Sequence, residues 1–173
     1  MNSVVFTHSL RFVLCVLVQI LVFRQVSIGW ETFNYVHIIV YPVFIMLLPI
    51  RTPRPLLIAL GFLIGITVDM FYHTYGVHAA AGTFSAFMRP IILSLMAPRG
   101  GYNLNDSPTM VKFGFGWFSI YAASLLLLHL FYYYSMDVFT PVKIGDISLR
   151  TIFSFFASII FILIYVGTIK PRE

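Results

Sequence analysis

LLIALGFLIGITVDMFYH (56–73) and VHAAAGTFSAFMRPIILSLM (77–96) decide the fold of this chain. Each run is close to the 20 or so mostly apolar residues that cross a bilayer as a helix, and only a short turn (74–76) separates them. Each run also carries one charged side chain, Asp69 in the first and Arg89 in the second. An ionisable group at the bilayer centre costs about 2.5–3.5 kcal/mol on insertion scales. We therefore expect both residues to have a structural or functional reason for their position.

The overall composition indicates an integral membrane protein. Hydrophobic residues make up 60% of the chain and charged residues 10%, and the mean hydropathy is +0.92. Soluble domains average about 45–50% apolar and about 25% charged residues. The single cysteine, Cys15, excludes an internal disulfide framework and a multi-cysteine metal cluster. The net charge is +5, and the basic residues lie one or two at a time between the apolar runs. This distribution favours a role in setting membrane topology over nucleic-acid binding.

Apolar runs of spanning length predict an all-α membrane protein with six transmembrane helices in one domain, 1–173. The connections between the runs are too short to hold a soluble domain. The first run has no small-residue cleavage pattern after it, so we interpret it as a retained helix. The predicted helices lie near 6–24, 34–50, 56–73, 77–96, 111–134 and 149–169.

The distribution of basic residues predicts that both termini are cytoplasmic, because Lys and Arg concentrate in cytoplasmic connections. With six spans, the inside set is Arg11, Arg51, Arg54, Arg99, Lys112, Lys170 and Arg172. The smaller outside set is Arg24, Lys143 and Arg150.

The predicted third helix has a stripe of small residues that ends in an acid. Gly61, Gly65 and Asp69 follow one another at four-residue steps, and His73 extends the stripe by one turn. Small-xxx-small spacing lets a second helix approach the backbone closely. The small residues of 79–86 in the next helix can face this stripe. We therefore expect a tight antiparallel hairpin.

Two prolines fall inside predicted helices. Pro42 and Pro90 remove a backbone donor, which leaves the carbonyl groups of Ile38 and Ala86 without their usual partners. In lipid these carbonyls must be satisfied by a neighbouring group or by water.

A depth argument predicts that Asp69 and Arg89 do not pair directly. At about 1.5 Å per helical residue, their Cα atoms lie roughly 6 and 18 Å below the outer surface. We expect Asp69 to meet His73, His78 or a neighbouring helix. We expect Arg89 to extend toward the cytoplasmic interface, where it snorkels or binds freed carbonyls.

The stretch RTPRPLLIALGFLIGITVDMFYHTYGVHAAAGTFSAFMRPIILSLMAPRGGY (51–102) resembles the bacterial rod shape-determining MreD family. The resemblance rests on Gly61, Gly65 and Asp69, followed by Gly76. The segment from His78 to Arg99, which includes Arg89 and Pro90, is particularly similar to the MreD sequences of Bacteroidota.

This resemblance implies a non-enzymatic scaffold subunit of the elongation machinery in the bacterial inner membrane. Its partners would be the single-span protein MreC and, through it, RodA, a class B penicillin-binding protein and the MreB filament. The family's fold resembles the six-helix substrate-binding components of energy-coupling-factor vitamin transporters. We place the partner-facing surface on the first helix and the 25–33 segment, at Val26 and Trp30. No cofactor, metal or nucleic acid is expected.

Three alternatives remain open at this stage. A vitamin-type substrate-binding component would need an outer pocket. An intramembrane enzyme or metal protein could use Asp69, His73 and His78, although no recognisable ligand spacing is present. Self-association could use Gly114 and Gly116. The candidates for lining an outer pocket are Trp30, Tyr35, His37, Asp69, His73, Tyr75 and His78.

Overall fold

The computed structural model describes residues 2–28, 36–103, 106–139 and 143–168, and all the regular structure in these ranges is helical. We number the helices in chain order. The first, α1, combines Asn2–Val18, a π-turn at Gln19–Phe23 and Arg24–Ile28. The others are α2, Val43–Met46; α3, Arg54–Tyr72; α4, Val77–Leu95; α5, Met110–Phe113; α6, Phe115–Val138; and α7, Ile144–Thr168.

Four helices are long and apolar enough to cross a membrane. They are Phe6–Val26 within α1, then α3, α6 and α7. The 19 residues of α4 pack along α3, but α4 is not among the four spans in the described part of the chain. Its many Ala, Gly, Ser and Thr residues, with His78 and Arg89, make it less apolar. The structure therefore supports a multi-pass membrane protein with four candidate spans.

The predicted continuous helix over 34–50 is wrong over its described part, 36–50. The chain is irregular at 36–40, turns at 41–42 and forms only the single helical turn α2. Pro42 stands at the N-cap of α2, where its missing N–H costs nothing. Residues 38–48 are nonetheless buried in the core, so this segment needs hydrogen-bond partners from outside itself.

The hairpin of α3 and α4 confirms the prediction from the glycine stripe. A Cβ atom added at Gly61 would lie 2.6 Å from the carbonyl oxygen of Gly82. One added at Gly65 would lie 2.5 Å from Cα of Ala79. The turn between the helices uses left-handed backbone at His73, with φ of 56°, and at Gly76, with φ of 85°.

The predicted helix over 111–134 is divided and extended. Gly114 has a φ of 84°, outside the helical range, and separates the short α5 from α6. The long helix α6 then continues to Val138, and α7 begins at Ile144, before the predicted residue 149. The buried side chains of α6, among them Phe118, Leu125 and Leu126, form the centre of the bundle.

Candidate functional site

The irregular segment 36–50 is held by polar side chains from the surrounding helices, and this arrangement defines the candidate site. At its start, His37 N–H donates to Ser154 Oγ and Ile39 N–H donates to Ser158 Oγ, each at 2.9 Å. Two residues of extended chain rise about 6.6 Å, and four helical residues rise about 6 Å. The spacing of two serines four residues apart on α7 therefore equals the spacing of alternate amides along the extended segment.

Gln19, at the π-turn of α1, binds the next part of the segment. Its Oε1 accepts from the amides of Val40 at 2.8 Å and Tyr41 at 3.3 Å. Its Nε2 donates to the carbonyl of Ile38 at 3.0 Å and to the hydroxyl of Tyr72 at 2.9 Å. The expectation that the Ile38 carbonyl needs a partner from a neighbour is thus confirmed, although the segment is not the helix that motivated it.

At the other end of α2, three consecutive carbonyl groups (46–48) accept from side chains. In order, they accept from the Tyr121 hydroxyl at 3.1 Å, Arg11 Nη1 at 3.2 Å and Arg89 Nη2. Helix ends leave their last carbonyls unpaired, so these donors replace the missing backbone partners. Both ends of the segment are therefore capped by residues distant in sequence.

Arg89 is a central element of this arrangement. It is only 1% exposed, and its Nε donates to the Tyr121 hydroxyl at 3.1 Å. The prediction that Arg89 binds a backbone carbonyl is confirmed, but the carbonyl belongs to Leu48 rather than to Ala86. Arg89 does not snorkel, because its guanidinium is buried among α2, α4 and α6.

Asp69 caps the start of α4 from the end of α3. Its carboxylate accepts from the amides of Ala79 at 2.8 Å and His78 at 3.1 Å, and from the Thr74 hydroxyl. A carboxylate at a helix N-terminus satisfies orphan donors and complements the helix dipole. Asp69 and Arg89 thus have separate partners, as the depth argument predicted.

A buried chain of hydrogen bonds crosses the bundle between these two charges. The Tyr41 hydroxyl lies 3.0 Å from His129 Nε2, and His129 Nδ1 lies 2.7 Å from Ser85 Oγ. The imidazole of His78 lies beside it, with ring centroids 4.7 Å from Tyr133 and 5.1 Å from Tyr72. Its Nε2 has no hydrogen-bond partner among the described residues.

The burial of these hydrogen-bonded side chains favours a structural role for them. Ser85 and His129 are spaced like a nucleophile and its base, but both are completely buried, so a substrate has no access to them. His73 is exposed at the end of α3, apart from buried Asp69 and His78. Within the described ranges, no three His, Cys, Asp or Glu residues are placed to hold a metal ion.

The structure separates the residues predicted for an outer pocket. Tyr75 is fully exposed, whereas Asp69 and His78 are buried in the hairpin. Trp30 and Tyr35 lie outside the described residues. Val26, predicted to face a partner, is 43% exposed on α1.

Sequence reasoning missed the polar residues that bind segment 36–50. Gln19, Ser154 and Ser158 are isolated in apolar helices, and such residues must find partners inside a membrane protein. That isolation, with the four-residue spacing of the serines, is the signal that could have identified them.

The fold is all-helical in its described part, with four helices that could span a membrane, and it is organised around a buried, mostly non-helical segment. It is consistent with a multi-pass membrane protein. The chain matches no family model, no curated protein and no solved structure.

Proposed function

We propose that this chain is a non-enzymatic scaffold subunit of the MreD type. In this proposal it lies in the bacterial inner membrane, holds a single-span MreC-like partner and thereby supports peptidoglycan synthesis by the elongation complex. RodA, the class B penicillin-binding protein and MreB would be reached through that partner. The proposal rests first on the resemblance of residues 51–102.

The observation that carries the proposal is how the residues of that resemblance are used. Gly61 and Gly65 allow contact between helix backbones, and Asp69 caps α4. Arg89 holds the end of α2. Each of these side chains or close contacts serves the internal packing of the bundle. This use suits a scaffold, whose task is to present a fixed outer surface.

The six-span arrangement belongs to this proposal. Beyond the four candidate spans, α4 would be the fifth crossing, because it lies antiparallel along α3. Segment 36–53 would be the sixth, since its residues 38–48 are buried in the core and it leads into the start of α3. Irregular backbone at membrane depth is tolerated where protein surrounds it. Both termini would then lie on the cytoplasmic side.

The partner-facing surface is proposed on α1. Leu10, Leu14, Leu17 and Leu21 share one helix face and are 38–65% exposed. A partner helix in the membrane needs an accessible side of this kind, and α3 and α4 already use their small-residue faces on each other. In this proposal, lipid covers the parts of this leucine face that the partner helix leaves uncovered.

Site-specific photocrosslinking tests this surface. A photoreactive residue at Leu21, 65% exposed, should capture a single-span protein in native membranes. The matched control is Phe156 on α7, 61% exposed, which should not capture that protein. Capture only from α4 and α6 would contradict the assignment to α1.

A second candidate function is that of a vitamin-type substrate-binding component. Its specific support is segment 36–50, because broken helices often form substrate sites in transporters. Mass spectrometry of the protein purified from native membrane separates the two functions. A scaffold retains a second protein, whereas a substrate-binding component retains a small molecule.

A further inference from the structure

A basic cavity lies at the end of the bundle where α3 begins. Its volume is about 390 Å³, and it is bounded by α4 and the turn before α3. Two guanidinium groups, those of Arg54 and Arg89, line it together with the hydroxyl groups of Thr52, Ser94 and Tyr102. Each hydroxyl already donates to a backbone carbonyl. Arg89 likewise uses Nε on the Tyr121 hydroxyl and Nη2 on the Leu48 carbonyl. The donors left for a bound group are therefore Arg89 Nη1 and the guanidinium of Arg54.

Neither arginine has an acidic partner within the described part of the chain. Arg89 is 1% exposed, and Arg54 lies at the rim. The acid adjoining the cavity wall is Asp106, whose backbone carbonyl accepts from Ile50 N–H at 3.0 Å. Its carboxylate, however, pairs with Lys112 Nζ at 3.1 Å. A buried charge without an opposing charge is costly, so an anion in the cavity would stabilise the site.

The cavity continues into an apolar groove between α3 and α4. Arg54 and Pro90 border both spaces, and Ile58, Phe87 and Ile91 line the groove beyond them. Phe87 is 56% exposed and Ile91 is 43% exposed, on a surface that faces lipid in the proposed topology. A free anion would occupy only the basic end. A ligand with a charged head and an acyl chain would occupy both parts.

We propose that this site binds an anionic phospholipid, with its phosphate at Arg54 and Arg89 and an acyl chain along Phe87 and Ile91. Guanidinium groups bind phosphate oxygens through charge-assisted hydrogen bonds, which Arg54 can make with its whole fork and Arg89 with Nη1. Basic pockets between transmembrane helices are known to hold anionic headgroups. The site rests on the proposed membrane topology but does not require the scaffold role.

Native mass spectrometry of the full-length protein in detergent tests the site. Phosphatidylglycerol should be retained more tightly than phosphatidylcholine with the same acyl chains. Arg54→Gln should weaken phosphatidylglycerol binding about five-fold, since one basic group near a membrane surface contributes about 1 kcal/mol. Arg99→Gln is the matched control, because Arg99 is exposed and does not line the cavity. It should leave binding unchanged.

A phosphatidylglycerol with a photoreactive acyl chain adds a positional measurement. It should label the peptide that contains Phe87 and Ile91, and Arg54→Gln should reduce that labelling. Equal retention of the two lipids, or equal effects of the two variants, would overturn the proposal. Inorganic phosphate could instead bind, and Arg54→Gln could weaken that binding, while the protein shows no preference for phosphatidylglycerol. That result would assign the site to a free anion and overturn the proposal of a bound phospholipid.

Discussion

At the scale of single residues, the two charges in apolar surroundings turn out to be hydrogen-bond hubs for backbone groups. Asp69 accepts from two amides that begin α4, and Arg89 donates to a carbonyl that ends α2. Each replaces a partner that regular secondary structure leaves missing at a helix end. Asp69 and Arg89 are therefore buried because they form hydrogen bonds with backbone groups that have no other partner.

Asp69→Ala should destabilise the protein by about 1–3 kcal/mol, the cost of leaving buried donors unpaired. Thermal unfolding in detergent measures the effect. Asp106→Ala is the control, because its partner Lys112 is 38% exposed and ion pairs near the surface contribute about 0–1 kcal/mol. Equal losses in the two variants would contradict the capping role of Asp69.

Gly65→Ala should destabilise the hairpin, since the new methyl group meets the backbone of His78 and Ala79. Overpacking of this kind costs about 1–3 kcal/mol. Gly167→Ala, on α7 with open space around the added Cβ, should be neutral or stabilising by up to about 1 kcal/mol. The unfolding temperature should therefore fall in Gly65→Ala and stay the same or rise in Gly167→Ala. Equal unfolding temperatures in the two variants would argue against close contact between α3 and α4.

At the scale of elements, the α3–α4 hairpin could be predicted from the sequence, whereas the structure of segment 36–50 could not. The hairpin was predictable, because Gly61, Gly65 and Asp69 repeat with the period of a helix face. The segment was not, since a run of apolar residues looks the same whether it is a buried helix or a buried extended chain. Pro42 was the local signal, but Ser154 and Ser158 lie too far along the chain for a local pattern to include them.

Gln19→Leu should be more damaging than an ordinary substitution in α1. It would leave the Ile38 carbonyl and the Val40 amide without partners, and each buried unpaired group costs about 1–3 kcal/mol. Gln25→Leu, exposed on the same helix, should change stability by less than about 0.5 kcal/mol. The measurement is loss of monodisperse protein on heating, followed by size-exclusion chromatography. If Gln19→Leu is as stable as Gln25→Leu, Gln19 does not hold the segment.

At the scale of the whole molecule, the candidate site was predictable in part. Asp69 and Arg89 were identified from their cost in an apolar run, and His78 was identified as a possible partner of Asp69. All three are buried at the polar centre. His73 was included on helical spacing alone, and the left-handed turn at the end of α3 carries it to the surface. The other members, such as Gln19 and His129, required the three-dimensional packing of α1 and α6.

The six-span proposal predicts that the two ends of α4 lie on opposite sides of the membrane. In a Cys15→Ala background, Tyr75→Cys should react with an impermeant maleimide from outside intact cells. Gly100→Cys should react only after the membrane is opened. Both sites are exposed, so access is matched. Labelling of both positions from one side would show that α4 does not cross.

The serine contacts also imply that the core is completed late during synthesis. Ser154 and Ser158 lie 117 and 119 residues after the amides that they bind. Until α7 emerges from the ribosome, those amides lack the acceptors that they have in the finished fold, and hydrocarbon offers none in their place. Contacts between distant parts of a chain also form late because loop closure is entropically costly. The last helix therefore completes the interior, and a chain cut short before Ser154 would present an unfinished core to membrane quality control.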